Sequence, residues 1–137
     1  MKITHPIFGL FISLLLAGPV AAQCLEYEPK VVSLSGTLAK ETRPGRPNYE
    51  SVANGDKPET VWVLKLQEPI CVLAASEINV RENGQVEIQI VLDQNQYEKY
   101  QGMLGQSVTV TGRLFHSHTG HHHKQLLLRT SEIKKNA

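Results

Sequence analysis

Cysteine is scarce in this chain: Cys24 and Cys71 are the only two among 137 residues. No Cys-x-x-Cys pair exists, so the dithiol chemistry of a redox enzyme is not expected. Excess charge is missing too. The 14 basic residues face 13 acidic ones, and the signs balance once Lys2 is set aside with the leader described below. Without a basic stripe to displace counterions, nucleic acid is excluded as a partner, and an anionic membrane surface is disfavoured. A long apolar run is absent as well. The stretch from Ile7 to Ala17 is too short for ~30 Å of hydrocarbon, so no stable membrane insertion is expected. Paired carboxylates and a glycine-rich phosphate loop do not stand out. Ser117 neighbours His116, but adjacent residues of a strand point to opposite faces, so the two do not form a nucleophile and its base. An enzyme is therefore not the expectation.

What is there begins with a leader. Met1-Lys2, the apolar core, the break at Gly18-Pro19 and Val20-Ala21-Ala22 have the layout of a secretory signal peptide over residues 1–22. Gln23 is larger than the residue that precedes a lipidated cysteine, so Cys24 reads as an unmodified residue of an exported chain. The bacterial look of the leader points to the periplasm, with secretion as the alternative. In an oxidising compartment Cys24 and Cys71 most simply pair with each other. Closing a loop of that length stabilises a fold by about 4 kcal/mol on the chain-entropy model.

Residues 23–137 suffice for one small domain. Val32, Leu34, Gly36 and Leu38 alternate with polar residues, the period of a half-buried strand. Thr42 to Glu50, then Asn54-Gly55-Asp56 and Pro58, predict a long loop rich in proline and glycine, and such loops are often functional. A second strand is predicted over Thr60–Leu66, ended by Glu68-Pro69, with a short apolar run at Ile70–Leu73. Asn83-Gly84 predicts a turn, and Val86–Leu92 a third strand. The period then changes. Asp93 and Gln96 predict a capping box, Tyr97, Tyr100 and Leu104 fall at helical spacing, and Gly105 closes the helix. The tyrosine stripe is read as core packing. A fourth strand is predicted over Val108–Phe115 and a fifth over Gln125–Thr130, with a frayed tail from Lys134. Gly36 and Gly112 fall in core-facing rows, where glycine lets a strand bend. Three strands, one short helix and two strands predict an all-β (β-rich α+β) fold, a small five-stranded OB-like barrel with the helix between strands three and four.

Four stretches carry a resemblance: Asn48–Ser51, Pro69–Val72, Leu104–Gly112, and Leu114–His123 with its Thr-Gly-His-His-His run. They resemble the bacterial family DUF4431 over most of residues 23–137. The resemblance implies an exported context and supplies no catalytic residue.

Five of the six histidines fall in His116–His123, where Thr119-Gly120 signals a turn between the last two strands. Continuing the core-facing row by twos puts His116 and His118 on one face, about 7 Å apart along the strand. A three-residue loop sets His118 opposite His122, His116 opposite Lys124 and Leu114 opposite Leu126; a two-residue loop sets His118 opposite His121, His116 opposite His123 and Leu114 opposite Gln125, and the first register keeps apolar residues together. Three imidazoles on one face have the chemistry to hold Zn²⁺, Cu²⁺ or Ni²⁺. His116, His118 and His122 are the expected ligands, supported by His121 and His123. Tyr49, Glu50 and Asp56 of the proline-rich loop, and Glu59, lie at the same barrel end by analogy with OB barrels. Two further readings stand beside the metal: a solvated tip that binds nothing, and a pH-responsive surface, since free imidazoles titrate near 6.5. At the level of function, two readings follow. One is an exported module that binds a divalent metal at the histidine hairpin. The other is a metal-independent protein-interaction module, such as an inhibitor or immunity-type partner of an enzyme outside the cytoplasm.

Overall fold

In the computed structural model, which describes residues 1–2, 13–16 and 23–137, apolar side chains at every second position build five strands. These are β1 (Val32–Pro44), β2 (Pro58–Val72), β3 (Glu82–Val91), β4 (Ser107–His116) and β5 (Leu126–Lys135). The leader expected over residues 1–22 lies, apart from residues 1–2 and 13–16, outside the described residues. The strands close a barrel in the order β1-β2-β3-β5-β4. All pairs are antiparallel except β3 with β5, which run parallel. One short helix, α1 (Gln94–Tyr100), follows β3 and runs into a 3₁₀ turn at Gln101–Met103 before β4. This is the OB-like barrel that the element order predicted.

The barrel interior is filled by the even-numbered row of each strand. Leu38, Leu64, Ile88, Ile90, Val110, Leu114, Leu126 and Leu128 are fully buried there. Side chains of this size each stabilise a fold by roughly 1.5–3 kcal/mol when buried. Gly36 and Gly112 sit where strands cross closely: a Cβ on either would stand 2.2 Å from the Lys65 carbonyl oxygen or 2.1 Å from that of Arg129. Close backbone approach therefore requires glycine at both positions. Helix α1 starts as predicted. The Asp93 carboxylate accepts from the Gln96 N–H at 2.8 Å, and the Asp93 N–H donates to the Gln96 side chain at 2.9 Å. Tyr97 stands edge-on to Trp62, with centroids 5.1 Å apart, and Tyr100 is buried. The stripe packs on the core.

Several boundaries differ from expectation. β1 runs on through Thr42-Arg43-Pro44, because Pro58–Thr60 extends the ladder opposite it. Glu68-Pro69 does not end β2; a register shift between Lys65 and Ile70 absorbs it. Asn83-Gly84 lies inside β3, with Gly84 in the left-handed region at φ 62°. The tail is held, since Asn136 accepts from Thr109 and donates to Ser107. The last hairpin also pairs differently. Leu114 faces Leu128 and His116 faces Leu126, which leaves residues 117–125 as a long connection. This register sets leucine against leucine while freeing the histidines from the ladder. Cys24 and Cys71 form the expected disulfide. It ties residues 23–30 to the end of β2, where Leu25 bridges Val72.

Candidate functional site

The odd-numbered row of the strands points out of the barrel, yet part of it is buried. Phe115, Leu127, Gln89 and Val63 are laddered neighbours across β4, β5, β3 and β2. Their exposures are 4%, 0%, 7% and 0%, and Val61 beside them is 7% exposed. None of the five belongs to the barrel core. Something covers them from outside, and the polar contacts identify it. The loop 117–125 lands its side chains and backbone on the same outer face, around these residues.

Gln89 is the centre of that contact. Its amide donates to the His121 carbonyl at 3.0 Å and accepts the His123 N–H at 2.7 Å. One buried side chain thus pairs with the backbone of the loop as a neighbouring strand would. Glu59, at the start of β2, faces two histidines at once. Its Oε2 lies 2.8 Å from His121 Nδ1, and its Oε1 meets His123 Nε2. Burial pushes the Glu59 carboxyl up, but the hydrogen bonds from His123 and His121 outweigh it and hold it below the usual range. Lys124 reaches Glu87 on β3 and lies 3.3 Å from Glu41 on β1. The Lys124 ammonium lowers the Glu87 carboxyl, mainly through their hydrogen bond.

The other histidines go elsewhere. His116 does continue the core-facing row, but its Nε2 is 2.7 Å from Glu82 and its Nδ1 is 3.1 Å from the Ser117 carbonyl. His118 leaves that row. It stands edge-on to His122 with centroids 4.7 Å apart, and both rings stand against Phe115. His122 Nδ1 accepts from the backbone N–H groups of His118 and Thr119, at 3.0 and 3.3 Å. That role requires a neutral ring. Burial first, then the neighbouring charges of His118 and His121, push its pKa below the ordinary value. The five rings expected at one tip are thus divided into three groups: His116 with Glu82, His118 with His122, and His121 and His123 with Glu59. Among the described residues, no group of three or more His, Cys, Asp or Glu side chains is arranged to hold a metal ion.

The proline-rich loop joins the histidine loop through one residue. Tyr49, in the left-handed region at φ 59°, packs its ring against Gly120, where a Cβ would stand 2.7 Å from two ring carbons. Its hydroxyl lies 3.2 Å from His121 Nε2. Asp56 does not reach the histidines. It is 4% exposed and accepts from the backbone N–H groups of Asn48, Glu50 and Ser51 at 2.8, 2.8 and 2.9 Å. Those donors, Ser51 and Glu50 foremost, hold its carboxyl below the usual range. Glu50 contributes its N–H to this turn and leaves its side chain exposed. Sequence reasoning missed Gln89, Glu82, Glu87 and Glu41. All four sit in strands as ordinary polar residues, and only the folded-back loop gives them partners.

Beside the loop lies an open cleft of about 310 Å³, walled by Gly84–Glu87 on one side and by Ser117 and His122–Gln125 on the other. The fold and site together define an OB-like barrel whose histidine loop is laid over its own outer face. Residues 87–134, from β3 through α1, β4 and the histidine loop into β5, match the family model described as Domain of unknown function (DUF4431). The resemblance read from the sequence is borne out over those residues. No curated protein matches the chain. Among the described residues no helix is long and apolar enough to cross a membrane, and the disulfide fits an exported protein.

Proposed function

We propose that this chain is an exported, periplasmic binding module that engages a protein partner without metal, through the histidine loop and the cleft beside it. One observation carries the reading. Each of the five histidines has at least one ring nitrogen committed to a carboxylate, to Tyr49 or to backbone, in three separate groups. A loop held this way is preorganised, and a preorganised surface loses little entropy when a partner docks. OB barrels commonly bind ligands on the face of strands two and three, between the loops that follow strands one and four. Here that face is covered by the chain's own loop, so the loop and its flank become the contact surface.

The metal reading drawn from the sequence is the competitor, and Glu59 facing His121 and His123 together is the observation in its favour. The test uses tag-free, oxidised protein as bait on a periplasmic extract containing EDTA. We expect a partner to be retained from wild type and lost with Gln125→Arg, a substitution at an exposed position on the cleft wall. Titration calorimetry with Zn²⁺, Cu²⁺ and Ni²⁺ runs in parallel. A partner retained only when metal is restored, or metal affinity well above that of an unfolded His-rich peptide and abolished by Glu59→Gln, overturns the metal-free reading.

A further inference from the structure

The barrel seam between β3 and β5 is zipped over only three residues. Gln89, Ile90 and Val91 pair with Leu127, Leu128 and Arg129. Toward its start, β3 keeps its ladder with β2, where Glu87 faces Lys65 and Gln85 faces Ile70. Among the described residues no strand lies beside its other edge, residues 84–87. That edge looks across the cleft at residues 122–125, and among the described residues no backbone hydrogen bond crosses the gap. Side chains alone bridge it, through Lys124 to Glu87 and through Gln89 to the His123 N–H.

Three features give that edge a specific chemistry. First, Val86 belongs to the inward row with Ile88 and Ile90, which are 0% and 1% exposed, yet Val86 itself is 50% exposed. The row continues past the point where β5 stops covering it. Second, the segment Gly84-Gln85-Val86-Glu87 carries no proline, no lysine and no inward-pointing charge. Those are three of the devices that keep a free strand edge from pairing. Third, the one ammonium and the one carboxylate that line the cleft, Lys124 and Glu87, pair with each other. The remaining walls include the amides of Gln85 and Gln125, the hydroxyl of Ser117, and His122 and His123. Such a cleft, with its charges paired and amides in its walls, complements a peptide backbone.

We infer that this cleft takes an extended, uncharged peptide segment of a protein partner, added as a strand along Gln85–Glu87 with an apolar side chain over Val86. Strand addition draws affinity from backbone hydrogen bonds and selectivity from alternate side chains. The inference rests on the protein-partner reading above and names the form in which the partner binds.

The probe is a displayed library of random linear peptides, selected on the oxidised wild-type chain. Enriched peptides are expected to alternate apolar and polar residues. In ¹⁵N spectra they should shift the amides of residues 84–87 and 122–125, and they should bind Val86→Arg at least about tenfold more weakly. N-methylation of the peptide backbone should remove binding. Val86 is half exposed, so its arginine variant should melt like wild type; should it fail to fold, Gln125→Arg on the opposite wall replaces it. The inference is overturned by no enrichment, by shifts elsewhere, by equal binding to the variants or to the N-methylated peptide, or by sedimentation showing that the edge pairs two copies of the chain. If a partner is still retained in EDTA while these peptides fail, strand addition falls and the protein-partner reading stands.

Discussion

Gln89 shows how one side chain can hold a loop. It is nearly buried, and both ends of its amide pair with loop backbone, at His121 and His123. Replacing it with alanine removes both partners and leaves a carbonyl and an N–H in a closed place. A group stranded in this way costs about 1–3 kcal/mol. Gln89→Ala should therefore lower unfolding free energy by about that amount in urea titrations, and it should speed exchange of the His123 amide. Gly120 and Tyr49 make a second local argument. A methyl group on Gly120 runs into the Tyr49 ring, and the site is exposed, so Gly120→Ala should destabilise the chain by about 1 kcal/mol, the low end of the range for overpacking. Tyr49→Gly removes that ring and also suits the left-handed backbone at φ 59°. In a double-mutant cycle, Gly120→Ala should thus cost clearly less in the Tyr49→Gly background. Equal costs in both backgrounds would show that the two loops are not coupled through this contact.

The loop between β1 and β2 is organised by Asp56, whose carboxylate gathers three backbone N–H groups. Those bonds lower its pKa from 3.8. A carboxyl depressed in the folded state stabilises the fold at pH above its unfolded value, and this contribution disappears as pH falls through the folded value. Asp56→Asn should therefore be less stable than wild type at pH 7. The difference should narrow as pH drops below 3.8, measured as denaturant midpoints from pH 7 to 2. The same loop shows where sequence reading stops. Alternation in Val32–Leu38, the box at Asp93 and Gln96, and the core-row glycines were legible because each is a local pattern with one physical meaning. The hairpin register was not. Two registers of the last two strands both face leucine with leucine, and the choice depends on how residues 117–125 pack against β2 and β3. For the same reason the histidines were legible as a group, with His118 beside His122, while the pairing of His116 with Glu82 and of His121 and His123 together with Glu59 was not. Those carboxylates lie more than thirty residues away and leave no local trace.

At the scale of the whole molecule, the closed barrel depends on how its ends are tied, because its seam is short. β3 and β5 share three paired residues, while β1 and β2 share a ladder from Gly36 to Pro44. The disulfide acts on the side of β2 away from that ladder. Cys71 lies near the end of β2, where pairing with β3 has already shifted register, and Cys24 anchors residues 23–30 there. Leu25 exchanges backbone hydrogen bonds with Cys71 and Leu73, and Glu28 donates to the Leu114 carbonyl on β4. This segment thus spans from β2 to β4 and supports the end of the barrel where the cleft opens. A bridge across 47 residues removes about 4 kcal/mol of chain entropy from the unfolded state on the entropic model. For a domain this size that is a large share of the 5–15 kcal/mol typical of native stability. Cys24→Ser combined with Cys71→Ser should lower stability by about 2–4 kcal/mol, read in denaturant at fixed pH. Wild type in reductant should behave as the double variant does. Hydrogen exchange separates the two ways the loss could arise. If the bridge only restricts the unfolded chain, all core amides should lose protection equally. If it also supports the open end, amides of Leu25, Glu28 and Lys30 and of residues 72–73 and 84–87 should lose protection first, while Ile90 and Leu128 at the seam follow global unfolding. The backbone bonds from Leu25 and Glu28 favour the second outcome.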